Sequence, residues 1–258
     1  MKCRVSMLLG SALLFGATLP GAVLAQGMEV KEKPALYTYE SSWEIPRAKW
    51  ADMDKGELAT IKVLDKALAD GTIVVYGNET TRVHTAGGST HDTWWEASSM
   101  AGLMSVLEQL SRGGQSTTAV LAGATRHADQ VFVTHYYNWK SGSFKDGIAK
   151  SASYQLKDSA PGDALDTLAK TALVPLFEKL LADGAILGYE IDEEAIHTSA
   201  PGKFWTYFVT RSADGLDKVN AALQASVKSN PLIGSAFDSF VDFKEHRDSI
   251  SSINGAAK

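Results

Sequence analysis

Two histidines at matched positions could carry chemistry. His84 and His197 each precede a threonine, and they lie 113 residues apart. The pKa of imidazole lies close to neutral pH, so two such rings could act as general bases or bind a common ligand if the fold joined them. In the simpler alternative, each ring packs or hydrogen-bonds at the edge of its own hairpin. Spacing alone leaves both interpretations open.

A second set of candidates alternates along a run of strand-forming residues. His135, Tyr137 and Trp139 share a predicted face with Val131 and Val133. Aromatic side chains with polar tips on one strand face could line a pocket for a small apolar ligand. They could equally form a core or a seam between two units, so the pattern does not decide between these roles.

Three successive residues combine aromatic surface with a carboxyl group. Trp94 and Trp95 must point to opposite faces of a strand, and Glu96 shares the face of Trp94. One tryptophan should therefore face the helices and the other the opposite side of the sheet. If Glu96 is buried, its pKa should be raised and it becomes an acid or base candidate.

The motifs for metals, nucleotides and serine hydrolases are missing. His84, His91 and Asp92 lie close together in sequence, but Phe204 and Trp205 stand at the matched places of the last two. No helical His-x-x-x-His spacing occurs, so no metal site is predicted. A haem would need an axial histidine and usually an arginine, which spacing does not exclude. No cofactor is predicted, and haem stays an open alternative.

The elements that must position these residues occur twice. Residues 64–103 align without a gap on residues 177–216, with thirteen identities in forty positions, against roughly one in fifteen by chance. Each copy reads as strand, helix, hairpin, helix, strand, which is the ferredoxin-like order. The chain is therefore predicted to be a tandem duplication.

Local signals place the elements. Residues 36–43 alternate as a strand, a long helix ends at Gly71, and Ser99 suits a helix N-cap. In the second copy, residues 153–158 are predicted to be the first strand, with Tyr154 matching Tyr39. A linker is expected at residues 140–150, a short extra helix at 119–124, and a kink or break at Pro175.

These motifs resemble the dimeric α/β-barrel superfamily. The resemblance lies in LADGTIVVYG…TWWEASSMAGL and LADGAILGYE…FWTYFVTRSADGL, and the chain is also similar to exported bacterial proteins of unknown function. It implies an α+β fold in which two ferredoxin-like units, each with helices on one face, press their bare sheet faces into a barrel. The resemblance leaves function open, since members of this superfamily include cofactor-independent monooxygenases, isomerases, haem proteins and stress proteins. Covering the apolar faces is favourable at roughly 25 cal/mol per Å².

Composition limits location and partners. The first 25 residues read as an export signal ending in Val23-Leu24-Ala25, which predicts a periplasmic or secreted protein without a stable membrane span after cleavage. The single cysteine, Cys3, lies in that signal, so the mature chain is predicted to lack thiols. Cleavage leaves 23 basic against 30 acidic residues, a balance that disfavours nucleic acid. The run Asp192-Glu193-Glu194 is predicted to be a solvated strand edge.

The predicted organisation is a signal at 1–25, an arm at 26–34 and ferredoxin-like units at 35–142 and 143–258. The leading hypothesis is binding of a small, mostly apolar molecule between or within the units, with a homo-oligomer possible. Its candidate ligand-binding residues are His84, Trp95, Glu96, His135, Tyr137 and His197. The alternatives are a cofactor-independent oxygenase or isomerase using His and Tyr, and a structural or stress-associated barrel. A cavity of roughly 300 Å³ with convergent polar groups would favour binding, and a pocket in one unit only would favour catalysis.

Overall fold

The computed structural model describes residues 33–258. The predicted signal and most of the predicted arm lie outside these residues. Between residues 33 and 258, no helix combines the length and the apolar character needed to cross a membrane.

The first unit has the predicted order of elements. Gly71 ends the first helix with φ at 82°, a left-handed conformation that glycine adopts without strain. A short 3₁₀ turn at Leu121–Gly123 lies where the extra helix was predicted. The elements are β1 (Leu36–Glu44), α1 (Trp50–Asp70), β2 (Val75–Thr81), β3 (His91–Ala97), α2 (Met100–Arg112) and β4 (Arg126–Trp139).

Ser99 and its matched residue Ser212 are the N-cap residues of α2 and of the second unit's matching helix, but only Ser99 makes a side-chain capping bond. The Gly102 N–H donates to Ser99 Oγ at 3.1 Å, whereas Ser212 makes no such bond. We expect Ser99→Ala to lower the free energy of unfolding by about 1 kcal/mol, because a backbone N–H loses its acceptor. Ser212→Ala is the matched control, with an expected loss of a few tenths of a kcal/mol. Equal losses in urea denaturation would contradict this assignment.

The second unit repeats the order with additions. Its elements are β5 (Gly142–Ser143), β6 (Gly147–Gln155), α3 (Ala164–Leu168), α4 (Val174–Ala182), β7 (Gly188–Glu194), β8 (Lys203–Thr210), α5 (Ala213–Ser229), α6 (Pro231–Phe240) and β9 (Arg247–Ala257). A π-helical turn, Ala169–Leu173, separates α3 from α4. The chain stays helical through Pro175, so the predicted kink or break takes the form of this π-helical turn, and proline has no N–H to donate to the turn before it.

The predicted position of the second unit's first strand, residues 153–158, was wrong. Its first strand begins at Gly147, six residues before the predicted start, and β5 and β6 occupy most of the expected linker at 140–150. The composition there is rich in Gly, Ser and Lys, which favours a loop. Pairing of β6 with β8 on one side and β9 on the other overrides that preference.

The eight long strands close into an antiparallel barrel, which confirms the predicted fold class. The first unit contributes the order β2-β3-β1-β4 and the second β7-β8-β6-β9. Pairing of β4 with β7 and of β2 with β9 joins the units at two seams. The helices cover the outer face of the barrel, where each unit has its own apolar cluster.

The barrel interior is less apolar than expected. A third cluster, which includes Val75, Trp94, Leu187, Val209 and Ile253, fills only part of it. Carboxyl groups line much of the remainder. The expectation of two apolar faces covering each other was therefore only partly right.

Candidate functional site

A cavity of about 330 Å³ lies between the outer face of the first unit's sheet and its helices. Most of its wall is apolar or aromatic. The wall includes Met53, Trp95, Leu107, Leu110, Val120 and Leu121. Gly56 in α1 also lines the cavity. A Cβ atom on this residue would meet no atom within 4 Å, so there is room for a side chain here. The volume meets the size expected of a small-ligand pocket.

Polar groups converge at one end of this cavity. The imidazole of His127 stacks on Trp43 with ring centroids 3.6 Å apart. His127 Nε2 lies 2.9 Å from Asp129 Oδ1 and 3.1 Å from Ser41 Oγ. Burial, together with the charge and hydrogen bond of Asp129, raises the pKa of Tyr39. Tyr39, Ser41, His127 and Asp129 therefore form a hydrogen-bonding group, which we call the polar end.

The polar end does not have the geometry of a serine-hydrolase triad. In a triad, the carboxylate holds one imidazole nitrogen while the other nitrogen serves the serine. Here Asp129 and Ser41 both contact Nε2 of His127. The arrangement suits binding a ligand hydroxyl or carbonyl better than activating a serine.

Glu57 adds a titratable group to the cavity wall. Its Oε1 atom is buried without a hydrogen-bond partner. Burial, with smaller effects of Asp54 and Asp92, raises the pKa of Glu57 to about 7. A carboxyl group with this pKa can accept or donate a proton near neutral pH.

Strand pairing corrects one sequence match between the units. The sequence comparison aligned Tyr154 with Tyr39. In the structure, Tyr154 of β6 pairs with Phe204 of β8. In the 113-residue offset Phe204 matches His91, and His91 pairs with Trp43. Tyr154 thus takes the place of Trp43, because strand register and not proline spacing fixes the alignment.

The second unit has a related group of side chains. His246 stacks on Tyr154, with Nε2 3.2 Å from Asp248 Oδ2. Lys150, at the place of Tyr39, lies 3.2 Å from the same aspartate. Phe237 and Phe240 of α6 pack against this unit's core cluster. A salt bridge and additional aromatic side chains therefore distinguish this group from the polar end of the first unit.

Sequence reasoning missed His127 and Asp129, although a signal existed. His127-Ala128-Asp129 and His246-Arg247-Asp248 both give His-x-Asp at the last strand of a unit. Their spacing is 119 rather than 113 residues, so an ungapped alignment at 113 does not pair them.

Trp95 and Glu96 lie on opposite sides of the sheet, as predicted. Trp95 is part of the cavity wall, stacks on Tyr39, and donates from Nε1 to the Leu103 carbonyl at 3.1 Å. Glu96 is fully buried on the inner side with Trp94, and burial raises its pKa. The two candidates therefore belong to different environments.

The other candidate histidines do not converge. His84 is exposed and meets the edge of Trp50 at 4.9 Å, whereas His197 lies in an exposed loop near Glu193. His91 also packs against Trp50 on the outer face, while Asp92 faces the barrel interior. Within residues 33–258, no three His, Cys, Asp or Glu side chains are arranged to hold a metal ion.

A β-bulge separates His135 and Tyr137 from the face predicted for them. The register of β4 against β7 shifts between Thr134 and Tyr136, and an extra residue in a strand reverses the faces that follow. His135 is exposed, and the Tyr137 hydroxyl donates to the Pro34 carbonyl at 2.9 Å. The shared face with Val131 and Val133 was therefore a wrong prediction.

The acidic run 192–194 is not a solvated edge, which corrects that prediction. Strand β7 pairs with β4 and with β8, so it has neighbours on both sides. Asp192 and Glu194 are buried, and only Glu193 is exposed. The Thr134 hydroxyl donates to Asp192 inside the barrel.

Several inner carboxyl groups are shifted towards their protonated form. Burial, reinforced by neighbouring carboxylates, raises the pKa of Glu40 to about 8 and that of Glu79 to about 7. Burial also raises the pKa of Asp92 to about 6 and those of Glu190 and Asp192 well above their ordinary values. At neutral pH the interior therefore holds carboxyl groups that are only partly ionised.

The residues of the outer cavity do not fit a haem. Its wall contains one histidine, His127, and no arginine. His127 Nε2 is already engaged by Asp129 and Ser41, so an axial bond from this nitrogen would displace both contacts.

Comparisons with known proteins give the fold but not a family. No protein-family profile matches the chain, and no curated protein matches it. A putative monooxygenase from Lactobacillus acidophilus is 11% identical with a TM-score of 0.59, covering 87% of this chain and 97% of its own. One from Fusobacterium nucleatum is 8% identical with a TM-score of 0.62, covering 87% and 94%. An anthrone oxidase-like protein is 9% identical with a TM-score of 0.55 and the same coverage.

Proposed function

We propose that the first unit binds a small, mostly apolar molecule in the outer cavity. The observation that carries this proposal is a cavity of about 330 Å³ with apolar walls and a polar end. In the second unit, Phe237 and Phe240 pack against the core cluster next to the related His246 group. If the two units served only to close a barrel, they would not need to differ at these matched positions.

The walls favour a planar aromatic ligand with one oxygen substituent. Trp95 and Tyr39 stack at 4.7 Å beside the cavity and offer flat apolar surface. Asp129 and His127 can hydrogen-bond a phenolic hydroxyl or a ring carbonyl. A compound such as 2-naphthol is a suitable first probe. The predicted export would place binding in the periplasm or outside the cell.

Filling the cavity from Gly56 tests this proposal. Gly56→Phe is expected to weaken 2-naphthol binding at least 100-fold in a tryptophan fluorescence titration, because the new ring occupies the ligand's space. Ala59→Phe is the matched control, since residue 59 lies on the exposed face of the same helix. Gly56→Ala should raise the free energy of unfolding by about 0.5–1 kcal/mol. Equal binding by both phenylalanine variants would refute the proposal.

A second candidate is a cofactor-independent oxygenase acting in the same cavity. The names of the structural neighbours support it, as does Glu57, a carboxyl group with a pKa of about 7 in the wall. Glu57 would take a proton from a ring CH₂ group while the polar end holds the ring oxygen. Reaction of that carbon with O₂ would give a ring ketone and water.

Oxygen uptake with anthrone distinguishes the second candidate from binding alone. The oxygenase predicts uptake by the wild type and a loss of at least 100-fold in kcat for Glu57→Gln, with 2-naphthol affinity retained. Uptake no faster than in a protein-free control would reject the oxygenase and leave the binding proposal standing.

A further inference from the structure

The barrel encloses a second cavity with a different chemistry. It has a volume of about 260 Å³ and lies on the inner face of the sheet, so the wall formed by β1 and β3 separates it from the outer cavity. Five acidic side chains from four strands line its interior. They are Glu40 on β1, Glu79 on β2, Asp92 on β3, and Glu190 and Asp192 on β7.

Two of these carboxyl groups have unused hydrogen-bonding capacity. Glu190 is 4% exposed and Asp92 is 8% exposed, yet Glu190 Oε2 and Asp92 Oδ1 have no hydrogen-bond partner. Leaving a buried polar atom without a partner costs about 1–3 kcal/mol. Both residues line the cavity, so a hydrogen-bond donor bound there could satisfy them.

Aromatic rings complete the wall. Trp94, Phe132, Trp205 and Tyr207 line the same cavity. Ring faces attract cations, especially where water is excluded. Carboxyl groups and aromatic rings together therefore favour a positively charged ligand.

The acidic groups are too dispersed for a single metal ion. Among residues 33–258, no three of them converge as ligands. A cation whose charges are spaced along an apolar chain could reach groups on different strands. We propose that the barrel interior binds an aliphatic amine carrying two or more ammonium groups.

The charged residues near this cavity permit entry of a cation. Arg247 and Asp248 are the other charged side chains in its wall. Arg247 is exposed, and its Nη1 donates to the carbonyls of Lys244 and His246. Backbone carbonyls next to the start of β9 thus hold the guanidinium of Arg247, and every other charged side chain in the wall is acidic.

Binding should be linked to proton release. Without a cation nearby, the carboxyl groups of the cavity are partly protonated at neutral pH, and an ammonium group favours their ionised form. Affinity should therefore rise as the pH increases from 6.5 to 8.

Calorimetric titration of the full chain with putrescine tests the proposal. We expect at least 10-fold tighter binding at pH 8 than at pH 6.5, with proton release shown by buffers of different ionisation enthalpy. Glu190→Gln should weaken binding at least 10-fold. Glu193→Gln, on the exposed face of the same strand, should change it less than 2-fold. Butylamine, with one ammonium group, should bind at least 10-fold more weakly.

Three results would overturn the proposal. They are no binding of putrescine or spermidine by the wild type at pH 8, equal loss in the two variants, or equal affinity for butylamine and putrescine. Circular dichroism shows whether each variant is folded. Glu190→Gln removes a destabilising buried charge, so we expect this variant to fold.

Discussion

The protein should become more stable as the pH falls from 8 to 5. The inner carboxyl groups have pKa values above their ordinary range, so between pH 4.5 and 8 the folded chain binds more protons than the unfolded chain. In that window the free energy of unfolding decreases as the pH rises. Thermal unfolding at half-unit pH steps would measure this dependence.

Glu40 is the variant site that isolates this effect. The pKa of Glu40 is raised from 4.5 to about 8 by burial and by Asp92 and Glu79. Glu40→Gln should therefore stabilise the protein by on the order of 3 kcal/mol at pH 8 and change it little at pH 5. This stabilisation is smaller than the pKa shift of an isolated carboxyl group would give, because the neighbouring carboxyl groups titrate together with Glu40.

The control for this prediction is Glu108→Gln on the exposed surface of α2, where the side chain pairs with Arg112. It should leave the pH dependence unchanged. If wild type and Glu40→Gln lose stability in parallel between pH 5 and 8, the pKa of Glu40 is not raised in the folded protein.

Alanine at either seam of the barrel should be strongly destabilising. A Cβ atom on Gly188 would overlap the indole of Trp139 where β7 meets β4. A Cβ atom on Gly255 would overlap the Tyr76 carbonyl where β9 meets β2. Each substitution should lower the free energy of unfolding by about 2–3 kcal/mol, since a packed seam must separate to admit a methyl group.

Gly123→Ala provides the control for the seam prediction, because a Cβ atom there meets nothing within 4 Å. Urea denaturation should show it to be close to neutral. Seam variants as stable as this control would mean that the two units are not joined as described.

The sequence predicts the fold well because its signals are local. The helix stop at Gly71, the cap at Ser99 and the π-helical turn before Pro175 each depend on neighbours within one or two turns. The repeated order of elements then restricts the chain to ferredoxin-like units. Each unit has helices on one sheet face only, and covering the two remaining faces favours a barrel.

The sites are predicted poorly because acidic residues, which are usually exposed, are buried there. Asp192 and Glu194 alternate along a strand as solvent-facing residues usually do, yet barrel closure buries both. The bulge before Tyr136 leaves no signal in composition, so the face of Tyr137 could not be assigned. His127 and Asp129 meet β1 only through strand pairing over a long sequence separation.

Methyl NMR with 2-naphthol can show whether the outer cavity of the first unit is the binding site. We predict chemical-shift changes confined to this cavity, at Met53, Leu107, Leu110 and Val120. The core methyl groups of the second unit, at Leu168, Leu180 and Val219, should not move. Changes centred on the second unit, or none at saturating 2-naphthol, would contradict this prediction.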